Sequence, residues 1–109
     1  MASIDDFLKL DIRVGRVTYV GSVEKARKPV YKLAVDFGAE IGSKTIVAGI
    51  KEHYAAEELV GKEVACIVNL EPKSVAGVLS EGMVLAAEDQ NSVALLVPFK
   101  EVEAGSKVR

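Results

Sequence analysis

Residues 30–37, VYKLAVDF, alternate between two kinds of side chain. Tyr31, Leu33, Val35 and Phe37 fall on one face of an extended chain, and the residues between them fall on the other face. This two-residue period predicts a β-strand with one buried face. The fold is therefore expected to be built on a sheet.

Further short strands are predicted downstream of this one. The segment 38–43 contains two glycines and predicts a turn, and the β-branched run 45–47 predicts the second strand of a hairpin. The run 64–70 is apolar on both parities, which is typical of a strand buried on both faces. The runs 83–87 and 93–97 flank a polar turn and predict a final hairpin.

The strand that precedes residue 30 has a change of phase. Ile12 and Val14 share one parity, whereas Val17 and Tyr19 share the other. Gly15 lies where the parity changes, so the pattern predicts a glycine bulge at that position.

Two short helical segments are predicted. Residues 3–8 begin with Ser3 as a possible N-cap and have acids in the first turn and apolar residues at helical spacing. Residues 53–60 contain good helix formers, and Gly61 is well placed to end that helix. We expect one or two turns at each place.

This inventory predicts an all-β protein with a five-stranded OB-fold barrel, a short N-terminal helix and a small helical insertion. A chain of 109 residues with 50% hydrophobic composition suits one core, so we expect a single domain over residues 1–109. No apolar run approaches the roughly 20 residues that cross a bilayer. A signal peptide has basic residues near its N-terminus, whereas this chain has the acids Asp5 and Asp6 there. We therefore expect a cytoplasmic protein.

The residues that carry catalysis or bind metals are scarce. The chain has one cysteine and one histidine, without a zinc-ligand spacing, a nucleophile elbow or a glycine-rich phosphate loop. Cys66 lies in an apolar run and is expected in the core, and His53 is expected at the surface. We therefore predict no metal, no cofactor and no enzymatic activity.

The charge is unevenly distributed. The formal net charge is −2, yet residues 13–33 contain six bases and only one acid, Glu24. A local basic face on an acidic protein can neutralise a few phosphates, which favours an anionic partner. The alternative is a charged surface that is merely solvated.

Three stretches could form a recognition surface. The first joins Arg13 and Arg16 to the basic segment 25–32, on which Lys32 is expected to face solvent. The second is segment 69–73. The third is segment 76–87, in which Ser80 could hydrogen-bond a base or phosphate while Met83 packs against an unstacked base. Packing at the mouth of the barrel is the alternative for the third.

Several motifs occur in one order along nearly the whole chain: IDDFLKLDIRVGRV, YKLAVDFG, TIVAGI, EELVGKEVACIVNLEPKSVAGVLSEGMVLAA and EVEAGSKVR. In these motifs the chain resembles the tRNA-binding domain of methionyl-tRNA synthetases and of free-standing tRNA-binding proteins. The segment ARKPVYKL, residues 26–33, is similar to a branch of that family described as a secretion-related chaperone. A peptide-binding chaperone of the same fold is therefore the alternative function.

The resemblance implies an OB-fold homodimer that binds tRNA mainly by shape and backbone, with a methionyl-tRNA synthetase as a possible partner. It implies RNA contacts by Arg13, Lys32, Asn69, Lys73, Ser80 and Met83. Charge and expected exposure add Arg16, Arg27, Lys28, Lys44 and Lys51. Dimer contacts are expected from apolar residues near both ends of the chain, unless these pack on their own barrel: Ile4, Phe7, Leu8, Val97, Phe99 and Val102.

Overall fold

The computed structural model describes residues 1–109 and contains nine strands, of which β1 is the longest. They are β1 (Ile12–Ser22), β2 (Tyr31–Asp36), β3 (Ser43–Ala48), β4 (Glu63–Ile67), β5 (Lys73–Val75), β6 (Val78–Ser80), β7 (Met83–Val84), β8 (Ala86–Glu88) and β9 (Val93–Leu95). The helices are α1 (Ile4–Leu8), α2 (Gly38–Ile41) and α3 (Ala56–Leu59). None of them is long and apolar enough to cross a bilayer.

Five of the strands form one antiparallel sheet in the order β3-β2-β1-β4-β7. The remaining strands form two hairpins, β5–β6 and β8–β9, and α3 lies between β3 and β4 in the chain. The sheet curls so that the chain after β6 meets the free edge of β3. This arrangement confirms the predicted all-β, OB-like barrel.

Hydrogen bonds from two consecutive residues close the barrel. The Ser80 hydroxyl accepts from Val47 N at 2.9 Å, and the Glu81 carboxylate accepts from Thr45 N at 2.9 Å. Glu81 N donates in turn to Thr45 O at 2.7 Å. The next residue is Gly82, where a Cβ would lie 2.6 Å from the carbonyl oxygen of Ile67. The closure of the barrel therefore uses the hydroxyl of Ser80, the carboxylate of Glu81 and the missing side chain of Gly82.

The predicted alternation of β2 is confirmed in the core. Leu33, Val35 and Phe37 expose at most 1% of their surface. Cys66 is also fully buried in this core, as expected, and burial raises the pKa of its thiol to about 12. The thiol is therefore protonated at neutral pH and acts as a small apolar residue.

The predicted bulge at Gly15 is wrong, because Gly15 lies in unbroken register with Val64 of β4. Position 15 requires glycine for another reason, because an added Cβ would clash with the side chains of Val35 and Phe37. The register shift occurs instead between Val17 and Tyr19 in the pairing of β1 with β2. The two residues consequently face opposite sides of the sheet.

Two other predictions need correction. Met83 and Val84 do not join the final hairpin but pair with β4, and the hairpin forms between β8 and β9. The segment 38–43, predicted as a turn, includes one helical turn, α2. The two predicted helices are confirmed as α1 and α3.

The C-terminal segment pairs with the first half of β1. Gly105 N donates to Val14 O at 2.7 Å, Val14 N donates to Ser106 O at 2.9 Å, and Val108 N donates to Ile12 O at 2.8 Å. Gly105 has φ +93° and lies so close to Phe37 O that no Cβ would fit. The close approach of two backbones thus requires glycine here.

We predict that Gly105→Ala lowers the free energy of unfolding by about 2–4 kcal/mol, because it adds a clash to a left-handed backbone conformation. Gly61 is the matched control, since it has φ +88° but nothing within 4 Å of its missing Cβ. Gly61→Ala should cost only about 1 kcal/mol. Urea unfolding measures both values, and equal losses would contradict the close packing at Gly105.

Candidate nucleic-acid interface

A cleft of about 320 Å³ separates the loop between β1 and β2 from the hairpin β5–β6. We call residues 23–30 the basic loop and β5–β6 the tip hairpin. The basic loop contributes Lys25, Arg27 and Lys28, all exposed, and the tip hairpin contributes Val75 and Ala76. Three basic residues therefore border the cleft on one side, and small apolar residues border it on the other.

The tip hairpin was missed by the sequence analysis, which left its residues in an undivided loop. Its two-residue turn, Ala76 and Gly77, has positive φ at both positions, 49° and 86°. Such turns match the twist of antiparallel strands, and they favour glycine or asparagine. The alanine at the first position made the turn hard to recognise, although the pair Ala76-Gly77 lies between two valines, Val75 and Val78.

A row of cross-strand neighbours leads from β2 to the tip hairpin. Lys32 of β2 pairs with Val47 of β3, Val47 N is bonded to the Ser80 hydroxyl, and Ser80 pairs with Lys73 of β5. Two intervening residues, Val47 and Ser80, therefore link Lys32 to Lys73. These two predicted residues are thus brought to one side of the barrel.

The cations on this side are not neutralised within the chain. Ion pairs join Lys9 to Asp6, Arg13 to Asp11, and Arg16 to two glutamates, but none involves the basic loop, Lys32 or Lys73. Lys51 adjoins the start of the basic loop, because its ammonium group donates to the Ser22 hydroxyl at 3.1 Å. Unpaired cations around a cleft favour an anionic ligand.

Met83 lies on a second cleft of about 320 Å³, in which most of the lining residues are apolar. The side chain is 46% exposed, and Val47, at the centre of the row between Lys32 and Lys73, lines the same cleft. The structure therefore places Met83 next to the cationic surface.

Four other predicted residues make contacts inside the chain. Arg13 bonds Asp11 Oδ1 at 2.6 Å and Gly105 O at 3.0 Å, and the bond to Asp11 raises the pKa of the guanidinium. Asn69 accepts from Asp11 N at 2.8 Å and donates to Lys9 O at 2.9 Å. Both residues fasten the start of β1.

Arg16 and Ser80 are similarly engaged. Arg16 donates to Gly61 O at 2.7 Å, and Glu101 lies 3.5 Å from its guanidinium. Ser80 is 7% exposed, and its hydroxyl accepts from Val47 N and donates to Gly82 O at 3.2 Å. Ser80 can therefore shape the recognition surface without being accessible itself.

Lys44 lies apart from the other lysines. It pairs with Val35, whose side chain is buried, at the end of β3 remote from the basic loop. Lys32 lies on the opposite face, about 10 Å further along the strand. The structure thus gathers Arg27, Lys28, Lys32, Lys51, Lys73 and Met83, and it leaves Lys44 elsewhere.

Residues 12–107 match the family model described as "Putative tRNA binding domain". Over 105 residues, the chain is 50% identical to a methionine–tRNA ligase of Pyrococcus horikoshii. This match covers 96% of the chain but only 14% of the ligase.

Solved structures show the same fold over the whole chain. The CsaA chaperone protein of Picrophilus torridus is 40% identical with a TM-score of 0.95, and both chains are covered completely. A MetRS-related protein of Pyrococcus horikoshii is 37% identical with a TM-score of 0.89, covering 100% of this chain and 98% of that one. The chain is thus similar to proteins of both branches that the motifs suggested.

We predict that Ser80→Ala destabilises the barrel by about 1–3 kcal/mol, because Val47 N loses its acceptor in a partly buried place. Ser74→Ala is the control, since Ser74 is exposed on the neighbouring strand and its hydroxyl makes no hydrogen bond. It should change the free energy of unfolding by less than about 0.5 kcal/mol. A chemical denaturation curve in which both variants match the wild type would contradict the closure role.

Proposed function

Because the chain belongs to the tRNA-binding domain family, we propose that it binds tRNA through the basic loop, the outer face of β2 and the tip hairpin. The observation that carries this proposal is the set of unpaired cations around the cleft between basic loop and hairpin. OB folds bind oligonucleotides on the face of strands 2 and 3 and on the loops at this end of the barrel. The unpaired cations therefore lie on the part of the barrel where OB folds bind nucleic acid.

The proposed mechanism is electrostatic attraction followed by local fit. Arg27, Lys28, Lys32 and Lys73 attract phosphates, and the release of counterions makes the affinity fall as the salt concentration rises. Contacts with phosphates position the RNA but carry little sequence information. Binding should therefore depend on the shape of tRNA more than on its sequence.

The other predicted residues take supporting roles in this proposal. Lys51 and Met83 border the contact surface, whereas Ser80 holds the tip hairpin against β3. Arg13, Arg16, Asn69 and Lys44 lie away from the cleft, and any RNA contact that they make stays a prediction.

We also propose that the 109 residues act as one binding domain that presents tRNA to a methionyl-tRNA synthetase in the cytoplasm. The similarity to one segment of a methionine–tRNA ligase supports this partner. In this proposal the domain binds its RNA without catalysing a reaction. A tethered or associated domain raises the effective concentration of tRNA at the enzyme.

A homodimer is part of the proposal. Large apolar side chains near both ends of the chain are exposed, among them Ile4 at 71%, Leu8 at 63%, Val97 at 58% and Phe99 at 107%. Exposed apolar residues that together form a contiguous patch mark interaction sites, and the proposed dimer would bury these side chains. Phe7 and Val102, the other two predicted contacts, are only partly exposed.

A peptide-binding chaperone is the second candidate function. The similarity to CsaA chaperones over the full chain favours it, and the apolar cleft beside Met83 offers a surface for an apolar peptide. Apolar binding would depend little on salt, whereas binding of tRNA would depend on it steeply. The two functions are therefore separable by one titration.

We predict that labelled, unfractionated tRNA binds the protein with an affinity that falls steeply with salt. Lys28→Ala and Lys73→Ala should each weaken binding and reduce the slope of log affinity against log salt by about 0.7–0.9 per lost phosphate contact. Lys62→Ala is the matched control, because Lys62 is exposed on a different cleft. Fluorescence anisotropy at four salt concentrations gives each slope.

Unchanged slopes for both variants would count against the proposed surface. Retention of an unfolded peptide at all salt concentrations, with no affinity for tRNA, would instead favour the chaperone function.

We predict that the purified protein has twice the mass of one chain in light scattering and that Phe99→Ser shifts it to the monomer. A polar residue in place of a fully exposed phenylalanine removes apolar area from the interface without disturbing the core. Leu79→Ser is the control, because Leu79 is 54% exposed on the tip hairpin. A wild-type protein that is monomeric at micromolar concentrations would rule out the dimer.

A further inference from the structure

Tyr19 differs from the other tyrosines of the chain in its exposure. Tyr31 is buried and its hydroxyl donates to Tyr54 O at 2.8 Å, while the Tyr54 hydroxyl accepts from Leu95 N at 3.0 Å. Tyr19 is 53% exposed, and its hydroxyl makes no hydrogen bond in the chain. The hydroxyl groups of Tyr31 and Tyr54 are thus bonded within the fold, whereas that of Tyr19 is free to meet a ligand.

The β-bulge at Thr18 turns Tyr19 outward. Val17 pairs with Val35 and is 1% exposed, so without a bulge Tyr19 would face the core as well. The register shift puts Tyr19 opposite Ala34 instead, and the Thr18 hydroxyl donates to Ala34 O at 3.2 Å. Bulges commonly redirect a side chain next to a functional site.

The ring has a defined position along β1. A Cβ on Gly21 would lie 2.5 Å from the Tyr19 hydroxyl oxygen and 2.9 Å from Cζ. The tip of the ring therefore lies over Gly21, in space that any other residue would fill. A ring held in this way loses little freedom when a flat ligand stacks on it.

Lys32 is the cationic neighbour of this ring, and further cations follow along the chain. Gly21 pairs with Lys32, so Lys32 is a diagonal cross-strand neighbour of Tyr19, within reach of a long side chain. The next residue, Ser22, accepts from the Lys51 ammonium group, and the basic loop follows directly. An exposed aromatic ring beside a cationic path is the arrangement that binds single-stranded nucleic acid.

We propose that Tyr19 is a stacking platform for one unpaired base of the bound RNA, with Lys32 at the phosphate next to that base. This inference rests on the proposed tRNA binding and adds a preference for RNA with an unstacked nucleotide. Stacking on an aromatic side chain has no strict base requirement, because every base has a flat face.

The test uses two kinds of variant. Tyr19→Ala should weaken the affinity for tRNA by about 5- to 150-fold at constant salt slope, because it removes the ring and no charge. Tyr19→Phe keeps the ring and should bind within about two-fold of the wild type. Leu10→Ala is the control for an exposed apolar residue outside the proposed contact surface, because Leu10 is 37% exposed and precedes β1.

Tyr19→Trp supplies a direct signal, because the chain has no tryptophan. Its emission should be quenched by single-stranded oligoadenylate and not by a blunt RNA duplex of the same length. This readout reports stacking at position 19 whether or not the rest of tRNA contacts the protein.

The outcomes separate the two proposals. Normal tRNA affinity of Tyr19→Ala, with losses at Lys28 and Lys73, would overturn the platform and leave tRNA binding intact. Quenching of the Y19W emission by oligoadenylate in a protein without affinity for tRNA would support the platform and sink the proposed function. A Y19W emission that responds only to an unfolded peptide would overturn the platform as well.

Discussion

Closure of the barrel against the edge of β3 is the constraint on which the rest of the structure depends. The backbone groups of Thr45 and Val47 would otherwise lie at an open edge, and Glu81 and Ser80 satisfy them. Because Val47 also pairs with Lys32, the same bonds fix the distance between β2 and the tip hairpin. The candidate interface is thus held in shape by the contacts that close the core.

The two halves of strand β1 have different surroundings, and in the proposed function only the second half takes part in recognition. Its first half is fastened to β4 and to the C-terminal segment, and Arg13 belongs to that structural half. The bulge at Thr18 separates this half from the second, which carries Tyr19 on the outer face beside β2. Substitutions in the two halves should therefore have different consequences, one for folding and the other for binding.

The distribution of ion pairs explains how a protein with a net charge of −2 can offer a cationic surface. Arg13 and Arg16 have carboxylate partners, whereas the basic loop and Lys73 have none. A solvated surface usually intermixes its charges, and a patch left without partners retains its attraction for phosphate. The same patch lies next to clefts with apolar lining residues. Such clefts could bind an apolar peptide, so the chaperone function is the alternative to tRNA binding.

The sequence by itself determined the fold class, because alternation in 31–37 and the apolar run around Cys66 depend only on local period and composition. It also located the basic loop, since clustering of charge is visible in one dimension. Only the tertiary structure decided which polar residues have hydrogen-bond partners within the chain and which are available to a ligand. Ser80 and Asn69 have partners 33 and 58 residues away, and the register shift at Thr18 arises from pairing with β2. Such contacts are fixed by how strands meet in space, and the period of a single strand does not record them.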